Sequence, residues 1–147
     1  MQHNMAIIGF GGMGGWHFNK IKELIPGLNV KGAYDIRPEI EEKIKSNGLH
    51  VYQNLEEILT DEEIDLVTIA VPNNFHKDYS IACLRAGKNV VCEKPVTMNA
   101  AELEEIIAVS KETGKLFTVH QNRRWYRDYR IVNNILDNGT IGAPYFI

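Results

Sequence analysis

The chain has 147 residues, 44% of them apolar and 24% charged, with a formal charge of −3. That length holds one domain with a sizeable core, the charge balance argues against a nucleic-acid or acidic-membrane partner, and no run of about 18 apolar residues offers a bilayer span. The N-terminus Met1-Gln2-His3-Asn4 lacks the regions of a secretory signal, and Cys83 and Cys92 have no metal-site spacing, so a cytoplasmic protein without a metal is expected.

The first predicted strand, Ala6–Ile8, runs into a glycine-rich loop, Gly9 to Gly15, and a helix over Gly12–Ile25 that Pro26-Gly27 stops. A second strand over Val30–Tyr34 leads to a helix over Pro38–Asn47, opened by Pro38 in its first turn and closed by Gly48. A weaker strand at His50–Tyr52 follows, then a strand at Leu66–Ala70, a helix at Phe75–Ala86 ending at Gly87, and a strand at Asn89–Cys92. Asn99 with Glu102 three residues on marks the start of a helix over Ala100–Thr113, which Gly114 ends before a strand at Leu116–Val119. The basic, aromatic stretch Asn122–Arg130 reads as a solvated helix face. It merges into a helix over Tyr126–Asn138, closed by Gly139.

Several of these strands are near-continuous in Val, Ile, Leu and Ala, as strands buried on both faces are. Strands alternating with helices predict a doubly wound α/β domain, a parallel sheet joined by right-handed crossovers. Residues 1–122 are expected to form this domain. Residues 123–147 read as a crossover helix and, at Ile141–Ile147, the opening strand of a second domain that is cut short.

Gly9, Gly11 and Gly14 fit G-x-G-x-x-G between strand and helix. Gly9 permits the tight turn, Gly11 lets backbone approach a pyrophosphate, and Gly14 lets helix and sheet pack closely. The helix then aims free N–H groups at the phosphates. Asp35 lies 21 residues past Gly14, at the end of the second strand. A carboxylate there accepts hydrogen bonds from adenosine ribose and repels a 2′-phosphate, which favours NAD over NADP; its structural alternative is a cap ahead of Pro38. Arg37 has two readings, stacking on adenine or attracting a 2′-phosphate. A methyltransferase also places a glycine loop and an acid at these positions, but has no pyrophosphate to cradle.

Two further loops fall at strand ends, where open α/β sheets bind ligands. In Ala70–His76, Pro72 leads into Asn73 and Asn74, either of which is a candidate helix cap, and His76 reads as a surface or capping residue or a cleft residue. In Val90–Asn99 a buried strand exits through Glu93-Lys94-Pro95. Pro95 restricts Lys94 to extended backbone. The ammonium there can bind a substrate oxygen, hold a nicotinamide ribose or take a proton, and Glu93 can pair with it or orient it. A solvent-exposed loop lysine is the bland alternative.

With these pieces in place, the chain resembles the glucose–fructose oxidoreductase/inositol dehydrogenase/MocA family along nearly its whole length. The resemblance rests on Gly9–Gly14, Ala33–Glu39, Val71–His76, Cys92–Asn99, His120–Trp125 and Ile141–Ile147. It implies a cofactor site of Gly9, Phe10, Gly11, Gly12, Met13, Gly14, Asp35, Ile36, Arg37, Val71, Pro72, Asn73, His76, Glu93, Lys94 and Asn122. Lys94 is the implied catalytic group, and Arg124 would join Asn122 near the crossing into a second domain. Also implied are hydride transfer between nicotinamide and a sugar, polyol or related substrate, and a homo-oligomer of the full-length protein. Family members carry a second α/β domain with a proton-transfer histidine in an Asp-x-x-x-His segment, and no such segment occurs here. This chain alone is therefore expected to bind cofactor without efficient turnover. A stand-alone dinucleotide sensor is the alternative reading.

Overall fold

A computed structural model describes residues 3–143 and Tyr145. Six parallel strands carry the architecture: β1 (His3–Ile8), β2 (Leu28–Tyr34), β3 (His50–Val51), β4 (Leu66–Ile69), β5 (Asn89–Cys92) and β6 (Phe117–Val119). Their spatial order is β3-β2-β1-β4-β5-β6, so the chain reverses its winding between β1 and β4. Ligand crevices open at that reversal, beyond the carboxyl ends of the two strands.

The helices are α1 (Gly12–Leu24), α2 (Glu41–Ser46), α3 (Leu55–Thr60), α4 (His76–Arg85), α5 (Ala100–Thr113) and α6 (Arg127–Asp137). Short 3₁₀ turns at Pro38–Ile40, Asn73–Phe75 and Asn122–Trp125 lead into α2, α4 and α6. Helix α3 is absent from the sequence reading, although its signal was present. Asn54 accepts the Glu57 N–H at 3.0 Å and the Glu57 carboxylate accepts the Gln53 N–H at 2.7 Å, as in a capping box. Asn99 and Glu102 repeat the arrangement at the start of α5. Neither Asn73 nor Asn74 caps α4, contrary to expectation: Phe75 stands at its N-cap and the first turn is preceded by 3₁₀ backbone.

Strand β1 shows why the apolar runs are continuous. Met5 and Ile7 face a core with Phe10, Phe18, Ile21, Ala33 and Ile44. Ala6 and Ile8 face the other core, with Val67, Ile69, Leu84, Val90, Cys92 and Ile106. Successive side chains of a strand point to opposite faces, and here both faces are covered by helices. Helix α6 instead stands apart at the β6 edge, with no buried residue. Of the expected closing strand, Ile141 and Gly142 lie in turn and irregular backbone, while Pro144, Phe146 and Ile147 are outside the described residues. No helix among the described residues is long and apolar enough to cross a membrane.

Candidate functional site

The end of β1 and the start of α1 are pressed together by glycine. A Cβ on Gly14 would fall inside contact with the Gly9 carbonyl oxygen, and one on Gly9, whose φ is +87°, would sit 2.5 Å from the Ala70 carbonyl oxygen. Only glycine permits that double approach of β1, α1 and β4. Gly12 meets nothing within 4 Å, whereas Gly15 makes room for the Lys43 ammonium. That ammonium donates to the carbonyls of Phe10 and Gly11 at 3.3 and 3.1 Å and tethers the loop to α2.

Helix α1 differs from the two asparagine-capped helices. Its N-cap is Gly11, without a side-chain cap, and its first turn has no acid. Its leading amides are therefore left for an anion, which fits a pyrophosphate at the start of α1. Beside them lies a cleft of about 540 Å³ lined by residues that include Gly9, Gly11, Met13, Asp35, Ile36, Arg37, Val71 and Pro72.

Asp35 forms its polar wall. The carboxylate is 5% exposed and accepts the Phe10 N–H at 2.9 Å. It also takes the Arg37 N–H at 3.1 Å and the Arg37 guanidinium at 2.9 and 3.0 Å. Burial acts to raise the Asp35 pKa, but the hydrogen bonds from Arg37 and Phe10 outweigh it and hold the carboxyl below its ordinary range. An ionised acceptor thus lines the cleft, paired with the Arg37 guanidinium.

At the exit of β5 one of the two readings for Glu93, pairing with the Lys94 side chain, fails. Lys94 is exposed and, among the described residues, forms no ion pair; the Lys94–Pro95 peptide is cis. Glu93 does not pair with the Lys94 ammonium. Its buried carboxylate turns inward, accepting the Lys94 backbone N–H at 3.1 Å and hydrogen bonds from His17 and His120, each at 2.8 Å. Burial would raise the Glu93 pKa, yet His17, His120 and the Lys94 N–H together lower it. Burial, aided by the neighbouring His120, lowers the pKa of His17 against the opposing pull of Glu93.

His76 is neither a surface nor a capping residue. It is fully buried, with Nδ1 2.9 Å from the Pro95 carbonyl and Nε2 2.9 Å from the Val71 carbonyl. It therefore ties the exit of β4 to the Glu-Lys-Pro loop. A neutral imidazole can donate to only one of those oxygens.

The model of an oxidoreductase family with an NAD-binding Rossmann fold, GFO_IDH_MocA, matches residues 3–121. The chain belongs to this family. It is 31% identical over 137 residues to scyllo-inositol 2-dehydrogenase (NADP(+)) of Bacillus subtilis, covering 93% of this chain and 38% of that protein. It is 35% identical to an inositol 2-dehydrogenase of Rhodococcus jostii, covering 94% and 38%. An NAD-binding protein from Listeria innocua superposes with a TM-score of 0.93 at 43% identity, over 97% of this chain and 42% of that one. The scyllo-inositol dehydrogenase of Lactobacillus casei, solved with NAD(H) and scyllo-inositol, superposes at 0.86 with 27% identity, over 97% and 43%. The chain thus spans about two-fifths of the length of these relatives.

As a Gfo/Idh/MocA domain, the chain gathers only part of its expected site residues in one cleft. The Phe10 ring is buried against Phe18 and only its N–H reaches Asp35. Gly12 and Gly14 shape the loop behind the cleft. Asn73 is exposed on the 3₁₀ turn before α4, and Asn122 donates to the Tyr126 hydroxyl at 3.2 Å near the base of α6. The sequence reading missed Tyr34, Phe75 and Tyr79, which line the cleft. Tyr34 closes its strand one residue before Asp35, and strand polarity is the one signal that placed it there.

Proposed function

We propose that this chain is the dinucleotide half of an NAD-dependent dehydrogenase acting on a polyol or related sugar-like substrate. One observation carries the reading most directly: an uncapped, glycine-tight α1 N-terminus and an ionised Asp35 share one cleft at the sheet's switch point. The α1 amides and Gly11 would hold the pyrophosphate, and Asp35 the adenosine ribose, with Ile36, Arg37, Val71 and Pro72 as walls. A buried acceptor that repels a 2′-phosphate supports NAD over NADP. A bound nicotinamide supplies a hydride acceptor or donor at its C4. Lys94, leaving the β5 end unpaired, would orient a substrate hydroxyl and hold or move its proton; Asn73, Asn122 and, through its hold on the loop, His76 would frame that end. The substrate class follows the inositol dehydrogenases among the relatives.

Residues 1–122 would be the binding unit, with the remainder passing toward a further domain and a homo-oligomeric whole. Cys83 and Cys92 are buried free thiols, which supports a reducing, cytoplasmic setting.

Calorimetric titration of the chain with NADH tests the reading. Saturable one-to-one binding is expected, weakened at least about tenfold in Asp35→Ala, in line with a lost charged hydrogen-bond acceptor. A folded chain that takes up no NADH would overturn the proposal, and tighter binding of NADPH would overturn the cofactor preference.

A further inference from the structure

Glu93 draws together two histidines from distant parts of the chain. His17 comes from the inner face of α1 and His120 from the residue after β6. Their Nε2 and Nδ1 atoms both lie 2.8 Å from the same carboxylate oxygen, Oε1. The three potential ligand atoms all lie within 4.8 Å of one another.

We propose that His17, Glu93 and His120 form a binding site for a divalent transition-metal ion of the zinc class. Two imidazole nitrogens and one carboxylate oxygen are the donor set that Zn²⁺ and Co²⁺ accept, commonly with a fourth position left for water. The two nitrogens converge on one oxygen, from α1 and from the residue after β6, so the donors are assembled before any ion arrives. Tetrahedral bonds of about 2.0 Å need donors roughly 3.3 Å apart, so each nitrogen must draw back from the carboxylate oxygen by about half an ångström. A ligating imidazole presents a lone pair at the bonded nitrogen and carries its proton on the other ring nitrogen.

Charge gives a second, independent argument. The Glu93 side chain is 6% exposed, and no lysine or arginine among the described residues pairs with it. Its oxygens are held by hydrogen bonds from His17, His120 and the Lys94 N–H, but no fixed cation among the described residues faces them. A divalent ion supplies that charge. Access is available as well, since the His120 side chain is 21% exposed and lines the open groove beside Trp16 and Gln121. These donors lie 76 and 27 residues apart in sequence, whereas the expectation of no metal rested on the spacing of Cys83 and Cys92.

The test uses tag-free, chelator-treated chain titrated with Zn²⁺ by calorimetry and with Co²⁺ by visible absorption. One equivalent should bind, with the intense bands of four-coordinate cobalt. His17→Gln and His120→Gln should each weaken binding at least about tenfold, while His3→Gln, at the surface pair with Asp65, should not. Nitrogen-resolved NMR of the wild-type histidines needs no variant: Zn²⁺ should shift His17 Nε2 and His120 Nδ1. Absence of saturable uptake, uptake indifferent to both ligand substitutions, or unmoved His17 and His120 nitrogens would each overturn the proposal. None of these results depends on whether NADH binds.

Discussion

Two glycines two residues apart should respond in opposite directions to the same methyl group. Adding a Cβ at Gly14 drives it into the Gly9 carbonyl and to 3.3 Å from Ile7 Cγ2. Neither neighbour can rotate away, because Gly9 is backbone and Ile7 is fully buried. Helix α1 must instead lift off β1 by about an ångström, loosening the core around Phe18 and Ile21. Overpacking of this kind costs about 1–3 kcal/mol, and the rigid carbonyl places Gly14→Ala at the upper end, near 3 kcal/mol. For a chain of this length that is a fall in Tm on the order of 10 °C. Gly12, the first residue of α1, meets nothing within 4 Å and has no positive φ. Gly12→Ala should therefore stabilise by about 0.5 kcal/mol through helix propensity alone. Urea unfolding followed by far-UV circular dichroism measures both. A Gly14→Ala protein within about 0.5 kcal/mol of wild type would refute the close-approach argument, as would a Gly12→Ala protein destabilised by more than about 1 kcal/mol.

Further expectations follow from side chains away from the cleft. Asn99→Ala should cost about 1 kcal/mol by removing the acceptor for the Glu102 N–H at the start of α5, read as a shift in the urea midpoint. Asp61 accepts hydrogen bonds from Lys31 at 2.7 Å and from the Tyr52 hydroxyl at 2.7 Å; they overcome the upward push of burial and hold its carboxyl at about 2. Its contribution is therefore present above the unfolded value of about 4 and lost as pH falls toward 2, on the order of 1–2 kcal/mol after allowance for its partial exposure. Asp61→Asn should flatten that limb of a stability–pH curve; an unchanged slope would dismiss the pair as its source. With NADH, Asp35→Ala should lose affinity while retaining wild-type circular dichroism, which separates a binding role from a folding one.

Element order was legible in the chain because its signals are local. Continuous apolar runs marked strands covered on both faces, and glycine, proline and the Asn99–Glu102 pair marked where helices begin and end. Asn54 and Glu57 carried the same capping pattern, but α3 has neither the proline that opens the turn before α2 nor the glycine that closes α2. The glycine loop, Asp35 and Glu93-Lys94-Pro95 could likewise be found by position alone, since a parallel α/β alternation sends every strand exit to one edge.

Which way those side chains turn was decided elsewhere. Glu93 stands next to Lys94 in sequence, yet its carboxylate meets histidines 76 and 27 residues away. His76 could be read locally as a surface, capping or cleft residue in a first helical turn, and the fold buries it between two carbonyls from different loops. Spacing along a chain specifies backbone conformation and strand polarity through short-range sterics and hydrogen bonding. The partners of a buried polar group depend on which distant elements the sheet order makes neighbours, so only the tertiary structure could supply them.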